Sequence, residues 1–119
     1  MTKPDIAERS VTYALGIIKL YRDLDKDNIG RVLGKQLLRA GTSIGANIHE
    51  AQGGQSRADF IAKVSIAHKE ARETAYWLRL IREARILPAD QLNDITDETR
   101  QLIKILSSIL LTAKQSKGK

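Results

Sequence analysis

From Asp5 to Lys114 the apolar residues recur at steps of three and four, and no Val/Ile/Thr run alternates with polar residues. The first pattern is that of amphipathic helices, and the missing alternation leaves no strand to place. The period breaks at Asp25-Lys26-Asp27-Asn28, at Gln52-Gly53-Gly54-Gln55-Ser56 and at Ile86-Leu87-Pro88. Gly53-Gly54 supplies residues tolerant of the left-handed conformation that closes a helix. Ser56-Arg57-Ala58-Asp59 places an N-cap serine three residues before an acid. Pro88 suits a first helical turn, where its missing N–H costs little. The punctuation predicts one domain, 1–119, of four helices at about 5–26, 29–52, 56–86 and 88–114, with a basic tail at 114–119. Short links between long amphipathic helices make neighbours antiparallel, so the expected fold is all-α, an up-down-up-down four-helix bundle.

With a turn of about 100° per residue, each helix has an identifiable inner face. Helix 2 gathers Leu33, Leu37, Ala40, Ile44, Ile48 and Ala51; helix 3 gathers Phe60, Val64, Ala67, Ala71, Ala75 and Leu78. Helix 4 gathers Leu92, Ile95, Thr99, Leu102, Leu106, Leu110 and Ala113. Helix 1 is apolar over a wider arc, from Tyr13 and Leu20 through Ala14, Ile18 and Val11 to Leu15. Helix 3 carries a second apolar stripe, Ile66, Trp77, Leu80 and Ala84, expected roughly opposite the first. Together with the arc of helix 1 it would leave a monomer with an exposed patch, which predicts a homo-oligomer interface. Helix 2 also places Gly30, Gly34, Gly41 and Gly45 within an arc of about 60°. Each costs about 1 kcal/mol against alanine in a helix, so the strip predicts a close backbone approach, first of all within the same bundle.

Composition narrows the function classes. The chain has 119 residues, 29% charged and 42% apolar, and no cysteine, which excludes disulfides, thiolate metal sites and cysteine nucleophiles. It fits a cytoplasmic protein. No leading segment reads as a signal core and no run is long enough for a membrane span, so no membrane partner is expected. The net charge is +6, and residues 28–87 hold ten bases against five acids. That balance favours polyanionic partners.

Gln36-Leu37-Leu38-Arg39-Ala40-Gly41-Thr42-Ser43-Ile44-Gly45-Ala46-Asn47-Ile48-His49-Glu50-Ala51 resembles a signature of proteins encoded in intervening sequences of bacterial 23S ribosomal RNA genes. Lys69-Glu70-Ala71-Arg72-Glu73-Thr74-Ala75-Tyr76-Trp77-Leu78 is similar to a second signature of that family. Ala51 departs from the glycine of many relatives, which bears only on local helix geometry. The resemblance implies a four-helix bundle assembled as a homopentameric ring. It also implies kinship with an accessory protein of diversity-generating retroelements, which partners a reverse transcriptase and binds nucleic acid.

Catalytic readings find little support. Ser43, Asn47 and Glu50 fall at i, i+4 and i+7 on one side of helix 2. Ser43 as nucleophile needs a base, and His49 lies about 120° away on the same helix. The expected role is a structural polar network, with Arg39, Arg72 or Glu73 as partner. A di-iron bundle needs Glu-x-x-His twice, but Ala46 and Ser65 stand three residues before His49 and His68. No metal, cofactor or enzymatic activity is therefore expected, and an enzymatic or toxin-like role ranks last.

Charge on helix 3 is segregated. Arg57, His68, Arg72 and Arg79 share one edge with Arg82 beside them, and Asp59, Glu70 and Glu73 lie on the other side. Helix 2 adds Arg31, Lys35 and Arg39 on its polar face. Such residues are commonly solvated faces with weak i,i+4 pairs. A ring would multiply them, five copies totalling about +30. The sequence therefore predicts an accessory protein that contacts nucleic-acid phosphates with Arg31, Lys35, Arg39, Arg57, Arg72 and Arg79. The alternative is a scaffold that docks a nucleic-acid-processing enzyme without touching nucleic acid.

Overall fold

A computed structural model describes residues 5–115; most of the predicted basic tail lies outside them. Four helices follow in order: α1 (Ile6–Leu24), α2 (Asn28–Gln52), α3 (Arg57–Glu83) and α4 (Ala89–Gln115). Each packs on the next, while α1 and α4 meet along a much thinner seam. The bundle is thus sequential and tightest between α2 and α3.

Side-chain caps set three of the starts. Asp5 accepts from the Ala7 N–H at 3.0 Å, Asp27 from the Gly30 N–H at 2.8 Å and Ser56 from the Asp59 N–H at 3.1 Å. Each satisfies a donor that the first helical turn leaves without an intrahelical acceptor. The end of α3 departs from expectation: it stops at Glu83, not near residue 86. Arg85 takes a left-handed φ of 58°, the Ile86 N–H returns to the Ile81 carbonyl, and the Arg85 N–H to the Arg82 carbonyl. This is a Schellman closure with arginine in the place glycine usually holds.

The core is aliphatic. Ile17, Leu24, Leu37, Ile44, Leu78, Ile81, Leu92, Leu102 and Leu106 are fully buried. Ile17 and Ile81 extend the faces read from the sequence. On α1 the inward line is Ala7, Ser10, Tyr13, Ile17, Leu20 and Leu24, whereas Val11 and Leu15 are exposed. Three buried hydroxyls bond back to their own helices: Ser10 donates to the Ala7 carbonyl, Thr74 to that of Glu70 and Thr99 to that of Ile95. Because Thr99 spends its proton there, Tyr13 must donate to the Thr99 oxygen at 2.6 Å. Burial of Tyr13 pushes its phenol well above the ordinary range.

The glycine strip of α2 lies against α1 of the same chain. A Cβ on Gly41 would sit 2.9 Å from Ile17 Cγ1, and one on Gly30 would sit 2.5 Å from the Leu24 carbonyl oxygen. Gly34 and Gly45 face Tyr21 and Ser10 in the same way. The strip is what lets the two backbones approach.

The second stripe of α3 is not opposite the core. Trp77 and Leu80 are half-buried and Trp77 packs on the core's margin; only Ile66 and the cap residue Ala84 are exposed. Trp77 follows buried Thr74 and precedes buried Leu78, so it flanks the inner face at about 100° from Leu78. Its indole N–H donates to Glu73 at 2.9 Å, and its ring meets Tyr76 edge-on with centroids 5.0 Å apart.

Candidate nucleic-acid interface

Helix α3 lies between α2 and α4, so its two edges line different seams. Toward α2 the edge is acidic. Glu70 and Glu73 both receive Arg39 of α2, Glu70 at 3.3 Å, and Lys63 pairs with Glu50 of α2 at 2.7 Å.

Toward α4 the edge is basic. His68 Nε2 lies 2.8 Å from Ser107 Oγ, and Arg82 donates to the Asn93 side-chain carbonyl at 2.9 Å. These two contacts fix which residues of α3 and α4 share the seam. His68, Arg72, Arg79 and Arg82 recur at steps of four, seven and three on α3, and Asn93, Thr96, Arg100 and Ser107 at steps of three, four and seven on α4, so each set shares one side of its helix. Between them is a concave cleft of about 340 Å³, lined by Ala75, Arg79, Arg82, Glu83, Thr96 and Arg100. Arg79 pairs with Glu83 at 2.7 Å, which raises its pKa through the hydrogen bond first and the charge second. Burial lowers the His68 pKa and the positive charge of Arg72 adds to the effect. Thr96 lines the cleft, and its hydroxyl oxygen is buried with no hydrogen-bond partner among the described residues.

The six predicted phosphate-binding residues are therefore not brought together. Arg31 pairs with Asp25 at 3.0 Å, Arg39 is held by two carboxylates, and Lys35 stays exposed on α2. Arg72 and Arg79 lie on the other side of α3, toward α4, and exposed Arg57 stands at the first residue of that helix. The structure adds Arg82 and Arg100 as groups without a carboxylate partner among the described residues. Their signal in the sequence was the spacing of Thr96, Arg100 and Ser107 beside the apolar stripe of helix 4, which reads only once α3 is known to lie alongside.

Ser43, Asn47 and Glu50 do not bond to one another through their side chains. Ser43 donates to the Arg39 carbonyl at 2.7 Å, Asn47 donates to the Ser43 carbonyl at 2.8 Å, and Glu50 receives Lys63. The first two brace the backbone of α2 and the third clips α2 to α3. None of Arg39, Arg72 or Glu73 bonds to them with its side chain.

The thin α1/α4 seam has the opposite character. It opens a hollow of about 480 Å³ lined by Asp5, Glu8, Asp94 and Glu98 around Tyr13 and Ile95. Arg9 bridges it to Glu98 at 2.6 Å and 2.8 Å. The molecule thus has an acidic seam and a basic seam on either side of α4. Among the described residues no group of His, Cys, Asp and Glu is placed to hold a metal ion, and no helix is long and apolar enough to cross a membrane.

A family model described as 23S rRNA-intervening sequence protein matches residues 2–108. A crystal structure of a protein with unknown function from the S23 ribosomal protein family of Bacteroides thetaiotaomicron is similar. It shares 43% identity and a TM-score of 0.85, over 89% of this chain and 98% of that one. No curated protein matches.

Proposed function

Since the chain belongs to the 23S rRNA-intervening sequence protein family, we propose that it is an oligomeric, non-enzymatic accessory protein that binds RNA or DNA through phosphates. The observation that carries this reading is the α3/α4 seam. There Arg72, Arg82 and Arg100 have no carboxylate partner among the described residues, whereas Arg31, Arg39 and Arg79 are each neutralised by an acid. Guanidinium groups spaced along a seam can contact successive phosphates, and such contacts carry no base information. Few aromatic side chains accompany them, so base stacking contributes little.

Self-association supports the reading by repeating the seam. Val11 and Leu15 of α1, 40% and 61% exposed, and Ile66 and Tyr76 of α3, 38% and 53%, are apolar surface that a second copy would cover. A homopentamer with Ile66, Trp77, Leu80 and Ala84 near its contacts is the assembly we favour. The same exposed residues support the competing reading of a scaffold that docks an enzyme such as a reverse transcriptase.

Fluorescence anisotropy with a short duplex at several salt concentrations separates the two. Phosphate binding requires the log–log plot of affinity against salt to fall with a slope of about −0.9 per phosphate neutralised. Unrelated sequences should compete nearly equally. Absence of binding at low salt, by a protein shown to be an intact oligomer, leaves the scaffold reading.

A further inference from the structure

We propose that the cleft between α3 and α4 is a pocket for a phosphate monoester, and that on nucleic acid it takes the 5′-phosphate end of a strand. The second half rests on the nucleic-acid reading above; the pocket itself does not. Three arginines line the cleft, Arg79, Arg82 and Arg100, with one carboxylate, Glu83, already engaged by Arg79. Charges of opposite sign within a few ångströms set the preferred ligand. Three positive groups and one negative leave the cleft two positive charges in excess. A monoester near neutral pH carries close to two negative charges, whereas a backbone diester carries one.

Shape points the same way. The cleft is concave and of about 340 Å³, room for a phosphate with its sugar. A backbone diester continues in both directions and is better met by protruding side chains, while a chain end can enter a recess. Arg82 is already oriented, since Asn93 accepts from one of its terminal nitrogens at 2.9 Å and leaves its other donors available.

Thr96 is an independent sign. Among the described residues the buried hydroxyls of Ser10, Thr74 and Thr99 each donate to a carbonyl of their own helix and that of Tyr13 meets Thr99, whereas the buried Thr96 oxygen has no partner. Thr96 lines the same cleft as the three arginines, whose long side chains can rearrange around a ligand. When those gather on an anion, the hydroxyl becomes the floor donor of a site otherwise made of guanidinium groups.

The test compares one single-stranded oligonucleotide with a 5′-phosphate and with a 5′-hydroxyl end, by anisotropy, on the full chain. Adenosine 5′-monophosphate and inorganic phosphate are titrated separately by calorimetry. One added charge-assisted contact set should favour the phosphorylated end by about tenfold. Arg82→Gln with Arg100→Gln should abolish that preference and the monophosphate heat, with helicity unchanged. Thr96→Val should weaken monophosphate binding without loss of folding. If the strand ends are equal but adenosine monophosphate or inorganic phosphate binds and the double variant loses it, the pocket stands with a free phosphate as its ligand. If no strand binds at all while the monophosphate does, the nucleic-acid reading fails and the pocket survives. Equal strand ends together with no monophosphate or phosphate heat overturn the pocket.

Discussion

Arg39 of α2 is bound to Glu73 of α3, and the same carboxylate accepts the indole N–H of Trp77. Glu70 completes the clamp at 3.3 Å. The arginine of the first family-like motif is thus used to join α2 to the second motif on α3. Its guanidinium cannot meet a phosphate without releasing two acids.

Arg39→Ala should therefore weaken nucleic-acid binding less than Arg72→Ala, which frees no partner. Its stability cost should be small, about 0.5 kcal/mol, because Arg39 is half exposed and solvent screens the pair. Paired anisotropy and urea titrations check both. An Arg39 effect on binding larger than that of Arg72 would place the interface on the α2 side.

Gly41→Ala should destabilise despite alanine's better helix propensity. The propensity gain is about 1 kcal/mol, while a Cβ 2.9 Å from Ile17 Cγ1 overpacks a fully buried contact at about 1–3 kcal/mol. Combining it with Ile17→Ala, which removes all three crowding carbons, should cost less than the two single changes added together. Equal chemical-denaturation midpoints for the single variant and the parent would show that α1 moves aside freely.

Arg85→Gly should stabilise. A non-glycine residue at a φ of 58° bears about 1 kcal/mol of strain that glycine avoids. The thermal midpoint should rise. A fall would mean that the Arg85 side chain makes up more than the backbone loses.

His68 predicts a pH effect on a 5′-hydroxyl duplex. Its folded pKa lies below the ordinary 6.5, because burial and then Arg72 oppose its charge. The unfolded chain thus binds the proton more readily near pH 6. This histidine's contribution is present above about pH 6.5 and is lost as pH falls through the folded pKa. A bound phosphate reverses the preference by stabilising the cation, so affinity should rise as pH drops from 7 to 5.5. His68→Gln should flatten that rise. An unchanged profile in the variant would remove His68 from the interface.

Ile66→Glu with Leu15→Glu should give smaller species in light scattering with helicity retained, because both side chains are exposed and bear little on the core. These are cleaner probes than Trp77, whose loss would disturb the core margin and the Glu73 clamp together. A parent protein that is monomeric at micromolar concentration would end the ring proposal.

The sequence by itself determined the elements. Apolar residues at helical spacing, Ser56 as a cap, Gly53-Gly54 and Pro88 as punctuation, and the glycine strip of helix 2 are local signals, and each acts within a turn or two of chain. The end of α3 escaped because Arg85 does a glycine's work there, a choice that propensity opposes. Ile17 escaped because the wide apolar arc of helix 1 has no single best inner line until α2 lies against it. What only the tertiary structure decided is which charges are spent. The period of a helix tells which residues share its edge, but not which neighbour lies along that edge. Arg39 and Arg72 look alike in the sequence. One sits within reach of Glu70 and Glu73 across the α2/α3 seam, while the other borders α4, where Arg100 adds charge of the same sign. Coulomb energy depends on distances between residues far apart in the chain, and packing alone sets those distances.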